Sequence, residues 1–476
     1  MTCKSNNNQS LFKKDGVSYV IPFALIASCF ALWGYANDIT NPMVEAFSKI
    51  FRMNVAEGAL VQTAFYGGYF AMAFPAAMFI RRYSYKSGVL MGLALYAIGA
   101  LLFFPAKIIG EFPCFLFAYF IMTCGLSFLE TSCNPYILSM GTEETATRRL
   151  NMAQSFNPIG ALFGMSCAMV FIQAQLNPTD TATRATWDSS TFNQVKESDL
   201  SILITPYLWI GLIIAVMFIV IFFIRMPKNG DENTKIDFIP TIKRIFSINR
   251  YREGVIAQFF YVGAQIMCWT MIIQYGKYML LHNPSAMNDT LMRGAMRIMH
   301  ILDISIWQEI VNAPVMTESH AAVLSQMVNI IAMVFFCSSR FVCTFFLKYI
   351  NSGKLLMILA IAACFLTAGV LLSRGVGGFY FLIGVSACMS LMFPTIYGIA
   401  LEGMGDDAKF GGAGLIMAIL GGSVLTPIQG AIIDAGGETG MIGAMPAVNI
   451  SFVLPMFCFV IVAIYGFRTL KVFKAH

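Results

Sequence analysis

The sequence predicts an all-α membrane protein with twelve transmembrane helices arranged as two halves of six. Three observations carry that expectation. Of the 476 residues, 58% are hydrophobic and 12% charged, against about 45–50% and 25% in an ordinary soluble domain. Apolar stretches of about 20 residues, each long enough for a hydrocarbon core roughly 30 Å thick, recur from Tyr19 to Phe467. One long polar connection, 227–251, divides these stretches six and six. Lipid offers no water to unpaired backbone groups, so the spans must be helices or a closed barrel, and runs this continuous lack the alternation of barrel strands.

Taken in order, the first 18 residues hold Lys4, Lys13 and Lys14 among Asn, Gln and Ser. The apolar run that follows, 19–42, is full-length with no small-residue cleavage site, and reads as a retained span. Span 2, 57–80, carries Gly67-Gly68 and Pro75; span 3, 88–106, opens on Ser87-Gly88; span 4, 112–138, contains Glu130; span 5, 151–174, contains Pro158. Span 6, 203–225, ends at Arg225, just before the polar connection KNGDENTK. Beyond the connection come span 7 (254–280), span 8 (322–347, with Arg340), span 9 (354–373), span 10 (377–402, with Pro394), span 11 (410–434, with Gly411-Gly412, Gly421-Gly422 and Pro427) and span 12 (447–467). These glycines and prolines allow close approach or bending, as in membrane helices of any kind.

The organisation expected is an N-terminal half 1–226, a linker 227–251 and a C-terminal half 252–476. Ser87-Gly88 recurs as Ser352-Gly353 and Met140-Gly141 as Met404-Gly405, at offsets of 265 and 264, which sets the halves in parallel register. Trp33 and Trp269 are separated by only 236, so about 29 residues are inserted between spans 7 and 8. The segment 282–321 supplies them, and its MRGAMRIMHILDISIWQEIV stretch suits an amphipathic helix on the outer face, either a lid or a decoration without function.

Twelve helices put both termini on one side. Of the 31 Lys and Arg residues, 21 fall in the tails and in the connections on that side and nine on the other, so both termini are expected in the cytoplasm. The formal charge of +6 is then topological. Twelve cysteines are scattered singly without C-x-x-C or metal-ligand spacing and read as reduced apolar fillers. The sequence shows no Walker motif, metal-ligand cluster or nucleophile elbow, so neither an enzyme nor an ATP-driven pump is expected, and no cofactor or metal.

A charge at bilayer depth costs several kcal/mol, roughly, on insertion scales, so Asp38, Glu130 and Arg340 require an explanation. Glu130 stands in CGLSFLETSCNPYIL, with Asn134 one turn later on the same face. An acid there can take up and release a proton, as a proton-coupled carrier needs; the alternative is permanent pairing with a cation such as Arg340, as a structural charge. Asp38 and Asn41 share one helical face, with Asn37 one turn before Asn41, and can bind hydroxyls. Alternatively they form a helix end that meets water, as Glu402 and Asp434 are expected to do. Amides gather in span 5 (Asn151, Gln154, Asn157) and span 7 (Gln265, Gln274) near Trp269 and Tyr275. Neutral hydrogen-bonding groups beside aromatic faces suit a sugar, although each amide taken singly can equally bond a neighbouring helix.

Several stretches together carry a resemblance: IPFALIASCFALWGYAND, QTAFYGGYF, LETSCNPYI, LNMAQSFNPIGALFG, QFFYVGAQIMCW, FPTIYG and the GG-x-x-x-TP-x-x-G run from Gly421 to Gly430. They resemble the bacterial L-fucose proton symporter (fucose permease) family of the major facilitator superfamily, over nearly the whole chain except the tails and 282–321. The resemblance implies a major facilitator fold with alternating access, a central sugar site between the halves, and proton coupling through acids in spans 1 and 4. Glu130 matches the family's span 4 glutamate, and Gln154 and Asn157 match polar residues of span 5. Span 1 departs, because the family's aspartate aligns with Asn41 while this chain's acid is Asp38, one turn earlier.

The combined reading is an inner-membrane secondary carrier bringing in L-fucose or a related hexose with a proton. Glu130 and Asp38 are its candidate coupling acids; Asn37, Asn41, Asn134, Gln154, Asn157, Gln265, Trp269 and Tyr275 are its candidate substrate contacts. Its partners are a small sugar, a proton and membrane lipid, with no nucleic acid, and a monomer is expected. A carrier for galactose or glucose, a sodium-driven carrier, and a membrane sugar sensor remain as alternatives.

Overall fold

The computed structural model describes residues 13–14, 17–140, 149, 152–179, 181–224, 238–302, 304, 306–312, 315–346, 349–402, 404 and 408–471. Twelve helices among them are long and apolar enough to cross a membrane. Spans 1 to 6 are Val20–Thr40, Val55–Ile80, Tyr85–Ile109, Phe112–Asn134, Met152–Gln173 and Ser189–Phe223. Spans 7 to 12 are Asn249–His282, Glu318–Cys343, Ser352–Leu372, Gly377–Leu401, Phe410–Asp434 and Ala447–Lys471. The beginning of the 227–251 connection, Asn151 and the basic residues of the two tails up to Phe12 and beyond Lys471 lie outside the described residues.

The pairing of helices repeats. Span 1 packs on span 5, span 2 on span 4 and span 3 on span 6; likewise span 7 packs on span 11, span 8 on span 10 and span 9 on span 12. Glycine makes the corresponding approaches possible in both sets. A Cβ on Gly160 of span 5 would stand 1.9 Å from the Ala31 carbonyl oxygen of span 1, and one on Gly421 of span 11 would stand 1.9 Å from the Phe259 carbonyl oxygen of span 7. No side chain fits there, so the backbones themselves are in contact. Between the two sets, span 2 lies along span 11, with Phe74 packed on the apolar cluster that includes Tyr251, Met404 and Phe410.

Element ends depart from the sequence reading where polar residues continue a helix outside the apolar run. The sixth helix, Ser189–Phe223, begins about four turns before the expected 203, capped by the Asp188 carboxylate, which accepts from the Ser190 and Thr191 N–H groups. These hydrogen bonds hold the exposed Asp188 carboxyl below its ordinary range. Hydropathy marks only the membrane-embedded part of such a helix. A second departure is the short buried helix Met43–Phe51 after Pro42. It seats Phe47 among Phe112, Phe115 and Tyr119, at ring-centroid distances of 5.5, 5.3 and 6.2 Å. Arg52, left-handed at φ 54°, ends it, and an Asn54–Glu57 capping box opens span 2.

In the 282–321 segment the expected amphipathic helix forms as Thr290–Ile301. It buries Met292, Ala295 and Met299 and packs on span 8, while Asp289 accepts from the Leu291 N–H and from the Tyr380 hydroxyl, both at 2.8 Å. A second short helix, Ile306–Asn312, follows.

Candidate functional site

Two buried acids stand where the spans converge. Asp38 is 6% exposed and Glu130 7% exposed. Span 1 continues as helix to Thr40, and the chain then turns into the buried Met43–Phe51 helix. Asp38 and Asn41 do stand at a helix end, but both are buried, so the reading that they meet water there is overturned.

Asp38 belongs to a polar chain crossing three spans. The Asn41 amide donates to Asp38 Oδ1 at 3.1 Å, and Gln62 Nε2 donates to Asn41 Oδ1 at 3.3 Å and to Thr270 Oγ1 of span 7 at 3.2 Å. All four side chains are buried. The chain joins the first six spans to the last six. Gln62 Oε1 has no hydrogen-bond partner among the described residues, nor do the amide of Gln326 and the hydroxyl of Thr426. Such groups are costly to leave unpaired and suit a ligand rich in hydroxyls.

Glu130 lies toward the other end of the bundle. Its carboxyl makes no hydrogen bond or ion pair among the described residues. It is within electrostatic reach of Tyr69 in span 2 and Tyr397 in span 10, so groups from both sets of six flank it. Asn134 donates to the Glu130 backbone carbonyl at 3.0 Å and accepts from Gln154 at 3.3 Å, which brings spans 4 and 5 together at the acid. Two tyrosines of span 2 connect the regions. Tyr66 lies by Asp38, while Tyr69 lies by Glu130 and donates to Asn37 Oδ1 at 3.4 Å. Their rings stack with centroids 6.3 Å apart.

Other sequence candidates fall differently. Asn157 donates to the Phe30 carbonyl at 3.4 Å, a bond between spans 5 and 1. Gln265 is half-buried on span 7. Trp269 gives its indole N–H to Ser386 at 3.1 Å and meets Phe336 edge-on, within the last six spans. Tyr275 is a correction as a substrate contact: its hydroxyl donates to the Gly375 carbonyl at 2.7 Å and its ring is packed among Phe379 and Phe452. Tyr275 is near the amides of span 7 in sequence, but its ring is packed toward spans 10 and 12. Arg340 donates to the Ser390 carbonyl at 3.1 Å and lies over the Phe336 ring at 5.0 Å; permanent pairing of this guanidinium with Glu130 does not occur. Glu402 is mostly exposed, as expected, and pairs with Arg250. Asp434 instead accepts from the Val55 and Ala56 N–H groups at 2.9 and 2.8 Å, tying the end of span 11 to the start of span 2.

That last contact belongs to a closure on the face opposite the termini, which sequence reasoning missed. Lys277 of span 7 pairs with Glu45 at 3.0 Å and Glu318 of span 8 at 3.6 Å, and Glu318 accepts from Thr181 N and Oγ1 at 3.2 and 3.0 Å. Nearby, Arg184 and Asp199 form a buried ion pair at 2.8 Å. The four-residue spacing of Glu45 and Lys49 after Pro42 was the available signal for the short helix beneath this cluster.

Lys49 is buried in that helix, and desolvation pushes its ammonium down to about 8 despite the pull of Glu45. The unfolded chain, with a Lys pKa of about 10.4, therefore holds more protons than the folded one above about pH 8. Stability from this group rises with pH through that window. Lys49→Met is expected to raise the melting temperature at pH 7 and to gain less than wild type between pH 7 and 9.5. Equal pH gains in calorimetry of the two proteins would contradict this.

The Major Facilitator Superfamily model matches residues 25–427. The L-fucose-proton symporter of Haemophilus influenzae is 45% identical over 96% of this chain and 98% of its own. The symporter of that name from Escherichia coli is 30% identical over 94% and 93%. Among solved structures, that of the superfamily transporter FucP in the outward conformation superposes with TM-score 0.67 at 30% identity, covering 94% of this chain and 99% of that one. With the repeated six-span packing and the buried polar site between the two sets, these matches give one conclusion: the chain belongs to the Major Facilitator Superfamily, to its L-fucose-proton symporter family, and is a transporter and not an enzyme.

Proposed function

We propose that this protein imports L-fucose together with a proton by alternating access. The observation that carries the reading is Glu130, buried, without a hydrogen bond to its carboxyl among the described residues, and flanked by Tyr69 and Tyr397 from opposite sets of spans. A proton held there is released when rocking of the halves opens the site to water, so sugar and proton bias one two-state equilibrium. Asp38 is the second coupling group, linked to span 7 through Asn41 and Gln62. Asn37, Asn41, Asn134, Gln154, Asn157 and Gln265 offer hydrogen bonds to sugar hydroxyls, with Trp269 as an aromatic wall.

The moving bodies are residues 1–226 and 252–476, joined by 227–251. The excess of Lys and Arg on the terminal side supports cytoplasmic termini in an inner membrane. With that orientation, the Lys277–Glu45–Glu318 cluster and the Asp434 contact close the outer face, while the helices of 284–312 form a collar there. The carrier acts as a monomer in lipid.

Counterflow of labelled L-fucose, galactose and glucose into proteoliposomes, with external pH recorded, tests the proposal. Fucose is expected to exchange fastest and net uptake to alkalinise the medium. Uptake without a pH change removes proton coupling, faster exchange of another hexose reassigns the substrate, and binding without exchange makes the protein a sensor.

A further inference from the structure

Spans 9 and 12 run antiparallel and so close that a Cβ on Gly466 would stand 2.9 Å from the Met357 backbone nitrogen. On their outer side they leave a groove of about 390 Å³, lined by Met357, Ile361, Phe365, Val460, Ile464 and Phe467 among others. Phe365 is 74% exposed. The lining residues recur at three- and four-residue spacing, one stripe on each helix.

Each stripe ends, at the face of the termini, in an exposed lysine: Lys354 one turn before Met357, and Lys471 one turn after Phe467, with its Nζ over that ring at 4.7 Å from the centroid. A Cβ on Gly353 would stand 2.2 Å from Thr469 Oγ1, so the two helix ends that carry the lysines adjoin. Arg468, between them in sequence, is committed to a two-bond pair with Glu253 at 2.7 Å, which neutralises the acid nearby. An apolar trough therefore leads to two ammonium groups that have no ion pair among the described residues, at the end of the bundle that holds the termini.

We propose that this groove is a binding site for an anionic phospholipid, with an acyl chain in the trough and the phosphate between Lys354 and Lys471. The apolar stem retains any lipid; the lysine pair selects for charge. The inference is independent of the transported sugar.

Purified protein is incubated with phosphatidylglycerol or phosphatidylcholine, and retained lipid is measured by native mass spectrometry. Phosphatidylglycerol is expected to be retained over phosphatidylcholine by on the order of tenfold. Lys354→Gln/Lys471→Gln should bring the two lipids level, Ala463→Phe should lower retention of both by filling the trough, and Lys243→Gln, a basic change on the same face, should leave the preference intact. Equal retention by parent and double variant, or loss of preference in the Lys243 control, overturns the site in favour of general attraction to a basic face. A dimer that Ala463→Phe dissociates overturns it in favour of a second copy of the chain.

Discussion

Glu130→Gln is expected to leave exchange of labelled sugar near wild-type rates while accumulation against a gradient falls by the contribution of one proton. Gln reproduces the shape and hydrogen-bonding capacity of a protonated Glu but cannot release a proton, so the sugar-bound states survive and the proton carried at this position is lost. A proton moving down a potential of 100 mV supplies about 2.3 kcal/mol, roughly a 50-fold concentration ratio, and that is the size of the loss. Vesicle accumulation under an imposed potential and counterflow without one separate the two quantities. Full accumulation in the variant would assign coupling elsewhere, and loss of exchange as well would make Glu130 part of the sugar site or of the packing.

Asp38→Asn has the second largest expected effect. Asparagine retains an acceptor for the Asn41 amide now at 3.1 Å from the carboxylate, so the chain through Gln62 to Thr270 persists. What disappears is the titratable group. If both acids carry a proton in each cycle, the variant loses one of the two, about 50-fold in accumulation at 100 mV, and its proton-to-sugar ratio drops accordingly. Charge and sugar flux measured together give that ratio directly. An unchanged ratio would leave Asp38 as a structural member of the span 1–2–7 chain and Glu130 as the sole coupling acid. In the family resemblance the span 1 aspartate aligns with Asn41, one turn away, and the contact between Asp38 and Asn41 supplies a physical route by which the acid can occupy the neighbouring position.

Much of the polar site was legible because intramembrane polarity is costly and therefore informative. Glu130, Asn134 and Gln154 share a neighbourhood because four-residue spacing on span 4 and the amides of span 5 place them on facing helices. Gln62 and Thr270 were not legible: each is a single uncharged side chain in an apolar run, and only the packing of spans 1, 2 and 7 makes them consecutive links. Tyr275 failed for the converse reason. Its sequence neighbours suit a sugar, but a helix turns by about 100° per residue, and its ring faces Phe379 and Phe452.

By itself the sequence determined the solvent, the number of spans and the existence of two parallel sets, since these follow from hydropathy and length, properties local to each stretch. The pairing of Lys277 with Glu45 and Glu318, the turn of Asp434 to the start of span 2, and the wiring of Asp38 across to Thr270 were decided by tertiary structure alone. Each joins residues more than 40 positions apart, and a hydrogen bond or ion pair depends on angstrom-scale placement that only the packing of helix on helix fixes.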